Sequence, residues 1–265
     1  MNKPNTRVAV RKVGFISPPA WFDISPIELL RIAPKGTITI QTLIRPPDFG
    51  YNEEDFLNSV PELQVCFDSL VAAGAEVVVQ FGYPFSLVHG WKRAQQIQQD
   101  IEGTGNTRFV MMGVEVVEAL RHLNCRSIAI ASTYYSGKME NILQSFLNEA
   151  GFNVLQSENW QSQGMAEEEG TGMFIGKAEL DPMAWETPTH AVQDAIRNIS
   201  LKVPDAEGIL VTGGGMRLLD IANNIEKEIG KPVVGGDISL YWGILRRLGI
   251  RDGIPGYGRL LAYPV

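Results

Sequence analysis

The sequence predicts an α/β protein of two pseudo-symmetric halves, built on mostly parallel sheets flanked by helices, with the active site in the cleft between them. Three observations lead there. Short apolar, β-branched runs alternate with helical patterns along nearly the whole chain, as βα units require. At 265 residues, 45% apolar and 20% charged, the chain can bury a core large enough for one big domain or two compact halves. A strand-then-glycine pattern also occurs twice, in Gly74–Phe85 (GAEVVVQFGYPF) and Asp205–Met216 (DAEGILVTGGGM), with Gly82 and Gly213 131 residues apart. A repeat at almost half the chain length is the mark of two similar units with a ligand cleft between them.

The expected strands are Val13–Ser17, Thr37–Ile44, Glu76–Gln80, Arg108–Met111, Ser127–Ser132, Gly208–Thr212 and Pro232–Gly235. Pro61 suits a helical first turn and precedes Leu63, Cys66, Phe67, Leu70 and Val71 on one face, so Cys66 reads as a small core residue. Met139, Ile142, Leu143, Phe146, Leu147 and Ala150 form a helical stripe that stops at Gly151, where a glycine following a helix belongs. Cys125 falls in a helix-to-strand connection, on the side opposite the strand ends where α/β proteins place their chemistry. The acidic run Glu167–Glu169 before Gly170, Thr171 and Gly172 reads as a solvated loop, with a lid over the cleft as the sharper alternative. The first half is read as residues 1–125 with about 236–265, the second as about 126–235.

Composition narrows the function. Lys and Arg number 23 against 30 Asp and Glu, a net charge of −7, so no global positive field attracts a phosphodiester backbone and no nucleic-acid partner is expected. No apolar run reaches the ~18 residues of a bilayer span, and Pro18 and Pro19 break the segment after the basic N-terminus; the protein reads as cytoplasmic, with no membrane partner. Two cysteines and three dispersed histidines give neither a disulfide framework nor zinc-ligand spacing, so no metal is expected.

In a parallel sheet, ligands lie outside the carboxyl ends of the strands. Pro18, Gly82, Tyr83, Ser132, Thr133, Tyr134, Thr212, Gly213, Gly214 and Gly215 fall there and are the candidate substrate-binding residues. Small residues, hydroxyls and free N–H groups at turns leading into helices suit a small carboxylate; equally, the glycines can serve only to permit tight turns. The Gly213–Gly215 triplet fails the dinucleotide pattern at its third glycine, Gly172–Lys177 (GMFIGK) is one residue short of a phosphate-loop spacing, and there is no G-x-S-x-G elbow.

These motifs, in this order, resemble the aspartate/glutamate racemase superfamily, and within it the arylmalonate decarboxylase and maleate isomerase branch. The resemblance runs from about Val13 to Leu261. It is carried by Ser17–Pro19, by GAEVV leading to Gly82, by DAEGILVTGGGMRLLD at Asp205–Asp220, by KPVV at Lys231–Val234 with Trp242 behind it, and by PGYGRL at Pro255–Leu260. It implies an active site between the halves, no metal or organic cofactor, a homo-oligomer, and chemistry through a carbanion, an enediolate or a cysteine adduct on a small carboxylic acid. It also implies that racemases carry a cysteine at each half-site turn, where this chain has Gly82 and Gly213, and that the decarboxylase keeps the second of the two. Where the decarboxylase pattern has two hydroxyl residues after the first-turn glycine, this chain has Tyr83 and Pro84, and proline has no N–H to offer an oxyanion. Tyr134 matches a family tyrosine that donates to the carboxylate.

With no thiol at either turn, proton transfer falls to another group. Glu115 and Asp237 are the candidate acid/bases, because a carboxyl in an apolar cleft is pushed towards neutrality; a favourable charge in a helical first turn and helix capping are their structural alternatives. Tyr134 completes the catalytic set as a hydrogen-bond donor. The expected activity is a cofactor-independent, decarboxylase-like lyase on a small carboxylic acid. An isomerase or racemase, a hydrolase of a small amide or cyclic imide, and a non-catalytic carboxylate-binding protein are the alternatives.

Overall fold

A computed structural model describes residues 10–19, 21–45, 48–103, 105–165, 172–174 and 187–263. The strands form two four-stranded sheets in which every neighbouring pair is parallel. The first has the order β2-β1-β3-β4, from β1 (Arg11–Ser17), β2 (Thr37–Leu43), β3 (Val77–Gln80) and β4 (Arg108–Met111). The second has the order β6-β5-β7-β8, from β5 (Ser127–Ala131), β6 (Asn153–Glu158), β7 (Gly208–Val211) and β8 (Val233–Gly235). Each sheet therefore runs edge, first strand, third strand, fourth strand of its own set, and the 131-residue repeat marks β3 and β7 as counterparts. Both counterparts are buried along their whole length, which is why they read as continuous apolar runs and not as alternating ones.

All seven expected strands are present within two residues of their expected ends. The eighth, β6, was not expected. It is an edge strand of sequence NVLQSE with only Glu158 buried, and its pairing with β5 is irregular between Ile128 and Ala129, so neither burial nor regular alternation left a mark on its sequence. The helix after Pro61 spans Val60–Ala72 and buries Leu63, Cys66, Phe67 and Leu70, whereas Val71 is exposed and does not join the stripe. The Gly137–Glu149 helix buries Met139, Leu143, Phe146 and Leu147, and Ser136 caps its start through Met139 N–H. Gly151, at φ +93°, follows its end, a conformation glycine adopts without a Cβ penalty. The acidic run Glu167–Glu169, with Gly170 and Thr171, lies outside the described residues, as does Lys177.

Two helices that follow the fourth strand of each set, Met112–His122 and Gly236–Arg247, pack against each other. A Cβ on Gly243 would stand 2.5 Å from the Glu115 Cδ, so this crossing needs glycine. None of the described helices is long and apolar enough to cross a membrane.

Candidate active site

In each sheet the first and third strands are central, and the chain crosses over from them in opposite directions. That arrangement opens a crevice at their carboxyl ends. Pro18 follows β1, Gly82 follows β3, Tyr134 follows β5 and Gly214 follows β7, and all four line one cavity of about 30 Å³. Trp21, Tyr51, Phe56, Phe81, Pro84, Phe85 and Phe174 complete its wall. The rings interlock: Phe56 meets Phe85 edge-on at 4.8 Å and Tyr134 meets Phe174 at 6.1 Å. The volume holds a water or two, so an organic acid enters only if these rings move apart.

The two glycine turns differ in what they offer. At the second, Gly214 N–H donates to the Tyr134 hydroxyl at 2.7 Å, and that hydroxyl lies 3.4 Å from Gly214 C=O. Burial pushes the Tyr134 phenol well above its ordinary value, so it stays protonated at neutral pH and can donate. At the first turn Gly82 has φ +108°, and the N–H groups of Gly82 and Tyr83 have no acceptor among the described residues. Beyond them Pro84 contributes none.

Several expected binding residues lie behind the cavity instead of on its wall. Thr133 Oγ1 donates to Thr212 C=O at 2.9 Å, Thr212 Oγ1 accepts from Thr133 N–H at 3.2 Å, and it donates to Ser132 Oγ at 3.3 Å. The hydroxyls of Thr133 and Thr212 are thus spent on joining β5 to β7, and that of Ser132 also hydrogen-bonds the Glu140 carboxyl. Tyr83 is buried, its hydroxyl donating to Val211 C=O at 3.1 Å across from one sheet to the other. Gly213 and Gly215 have positive φ, +90° and +78°, and shape the turn without lining the cavity.

Neither expected carboxyl lines the cavity. Glu115 is fully buried on the face of its helix that meets Gly236–Arg247, 2.7 Å from Arg246 and 2.9 Å from Arg247. With two guanidiniums held on it, it is an ion-paired carboxylate in the helix crossing, and a buried pair of this kind costs about 3–5 kcal/mol to break by removing one partner. Asp237 accepts from Ile238 N–H at 2.8 Å and Leu218 N–H at 3.1 Å. It sits in the first turn of its helix, which it ties to the chain after the second glycine turn, and burial pushes its carboxyl up to about 6. Both cysteines are also remote. Cys66 lies near Leu43 C=O, and Cys125 near Leu123 and Glu207 C=O; burial pushes the Cys125 thiol up to about 11, which leaves it inert at neutral pH.

The aromatic wall was only partly legible. Phe85 and Tyr134 stand beside strand-end turns, but Trp21, Tyr51, Phe56 and Phe174 come from connecting segments whose approach to the turns is not a sequence-local property. The clustering of Phe49, Tyr51 and Phe56 after β2 is the one signal that could have flagged them.

The model of the arylmalonate decarboxylase family matches residues 13–261. The chain belongs to that family. Arylmalonate decarboxylase of Bordetella bronchiseptica is 26% identical over 253 residues, covering 94% of this chain and 95% of the relative. Maleate isomerase of Nocardia farcinica is 26% identical over 146 residues, 55% of this chain and 51% of the relative. Among solved structures, an arylmalonate decarboxylase superposes with a TM-score of 0.73 at 24% identity, covering 94% of this chain and 98% of the other. Nocardia farcinica maleate cis-trans isomerase bound to TRIS superposes with a TM-score of 0.77 at 19% identity, covering 96% and 98%. These likenesses support the two-sheet architecture, and the family is one of decarboxylases and isomerases.

Proposed function

We propose that this family member is a cofactor-independent lyase that decarboxylates a small malonate-type acid bearing an apolar or aromatic substituent. The observation that carries the reading is the pairing, in one cavity, of a mainly aromatic wall with the Tyr134 phenol at the second turn and, at the first, Gly82, whose N–H has no acceptor among the described residues. One carboxylate is held by the Gly82 and Tyr83 N–H groups. The other faces the rings, where desolvation raises the energy of the charged ground state above that of neutral carbon dioxide. The C–C bond to it breaks, its electron pair stays on the α-carbon, and the charge spreads into the remaining carboxylate as an enediolate under the same N–H donors. The Tyr134 hydroxyl then passes its proton to the α-carbon, and the phenolate is reprotonated by water after product leaves.

Gly82 and Gly213 are proposed to stand where racemases of the superfamily carry their two thiols, and Tyr134 to take over the donor's part. The lyase expected from the sequence moved its proton through Glu115 or Asp237, and with neither on the cavity lining Tyr134 is proposed in their place; racemisation would need matched acid/bases on opposite faces and imide hydrolysis a base to activate water, and the lining offers neither among the described residues. Non-catalytic carboxylate binding is the second reading, favoured by the absence of carboxyl, thiol and imidazole groups from the cavity lining among the described residues.

The test is proton NMR in D2O with the purified protein and a panel of malonates, hydroxy acids, unsaturated diacids and cyclic imides. An arylmalonate should lose carbon dioxide and gain deuterium at the α-carbon. Saturable binding with no exchange and no product across the panel would establish the second reading.

A further inference from the structure

Gln80 ends β3 and is completely buried, two residues before the first-turn glycine. Its side-chain amide has two N–H donors and spends both: Nε2 lies 2.5 Å from Phe81 C=O and 2.8 Å from Gly82 C=O. Two carbonyl acceptors on one atom fix which end of the amide is nitrogen. Its Oε1 is buried with no partner among the described residues. A glutamine that leaves a buried acceptor unpaired, against the cost of its desolvation, has its donors committed to something the fold or the function requires.

Peptide planarity says what that is. No peptide bond among the described residues is cis, so each C=O points opposite to the N–H of the same peptide unit. Holding Phe81 C=O turns Gly82 N–H the other way, and holding Gly82 C=O does the same to Tyr83 N–H. These are the two first-turn N–H groups without an acceptor among the described residues; Gly82 and Pro84 line the cavity, with Tyr83 between them in the chain, while Gln80 and the Tyr83 side chain stand off its wall. The glycine's φ of +108° is the conformation that lets one amide reach both carbonyls.

We propose that Gln80 is a positioning residue that fixes the orientation of the 81–82 and 82–83 peptides and so presents Gly82 N–H and Tyr83 N–H together to a carboxylate in the cavity. The inference rests on the carboxylate-binding part of the proposed function and is independent of whether decarboxylation follows. It supplies the donors that Pro84 cannot.

The experiment is titration of the 15N-labelled protein with phenylacetate, following the amide resonances of Gly82, Tyr83 and Gly214, in the wild type and in Gln80→Leu. In the wild type, all three resonances should move with one saturation curve. In Gln80→Leu the Gly82 and Tyr83 responses should vanish, the Gly214 response should remain, and the dissociation constant should rise at least tenfold. A purely structural glutamine would alter unfolding without separating the two turns in this way. If Gln80→Leu does not fold, the wild-type titration still tests the two donors that the proposal needs. Movement of Gly214 with Gly82 and Tyr83 unmoved would overturn the role of Gln80 and leave carboxylate binding standing. No movement at any of the three would remove both. Wild-type affinity and wild-type shifts in a folded Gln80→Leu would also overturn it.

Discussion

Replacing Glu28 with Gln stabilises the protein at about pH 8 and flattens the fall in its stability between about pH 5 and pH 8. Glu28 is buried and accepts from the Tyr241 hydroxyl at 2.6 Å. Burial, with the charge of Asp237 adding to it, pushes its carboxyl from 4.5 up to about 7. Asp23 is raised to about 6 by burial, against hydrogen bonds from Ser25 and Ser17, and Asp237 likewise to about 6. All three folded-state values lie above the unfolded ones, so the folded chain holds protons that the unfolded chain has released. Their stabilisation is therefore complete below about pH 4 and is lost as pH rises through about 6 to 7. At about 1.4 kcal/mol per pH unit, Glu28 alone accounts for on the order of 3 kcal/mol. Gln keeps an acceptor for Tyr241 and carries no charge to desolvate. Urea unfolding of wild type and Glu28→Gln at the two pH values measures the effect; parallel losses of stability in the two proteins would show that Glu28 is not the titrating group.

Placing a thiol at the second turn, as Gly213→Cys, should destabilise the protein by about 3–5 kcal/mol: about 1–2 for a side chain at positive φ and the rest for overpacking. Gly213 has φ +90°, and a Cβ there would collide with Thr133 Oγ1 and stand 2.9 Å from the Tyr134 ring. Both neighbours are held: Thr133 by Thr212 C=O and Tyr134 by Gly214 N–H, so neither can yield without loss of a buried hydrogen bond. Gly82→Cys is the control. It carries a similar backbone penalty at φ +108°, but its nearest neighbours, Phe85 and Pro18, are 3.3 Å and 3.5 Å away. It should lose about 1–2 kcal/mol. Denaturant midpoints of the two variants, read at constant slope, give the comparison. Equal losses would mean that the collision at Gly213 is relieved at little cost.

The fold was legible because burial writes itself into sequence. The buried runs of β3 and β7, the stripe ending at Gly151 and the repeated glycine turn each carry a local signature, whereas exposed, irregular β6 carries none. The candidate cavity was legible only where it coincides with strand ends, through Pro18, Gly82, Tyr134 and Gly214, which line it. Glu115 misleads because a carboxyl at a helix start looks the same in sequence whether it faces a cleft or, as here, Arg246 and Arg247 from a helix over a hundred residues later. Ser132, Thr133 and Thr212 mislead for a related reason. Their hydroxyls bond one another and the facing backbone across the ends of β5 and β7, a pairing that sequence order does not display. Gln80 was passed over because one polar residue closing an apolar strand has no meaning until its two carbonyl partners are seen.

Tyr134, and neither a thiol nor a carboxyl, is proposed to supply the proton at the cavity. The decisive measurement is Tyr134→Phe assayed in D2O on an arylmalonate turned over by the wild type, with phenylacetate affinity as the check that the cavity survives. Deuterium incorporation should fall by at least about a hundredfold, as loss of a positioned general acid does, while phenylacetate still binds. Incorporation at the wild-type rate in a folded Tyr134→Phe would rule out the tyrosine as donor.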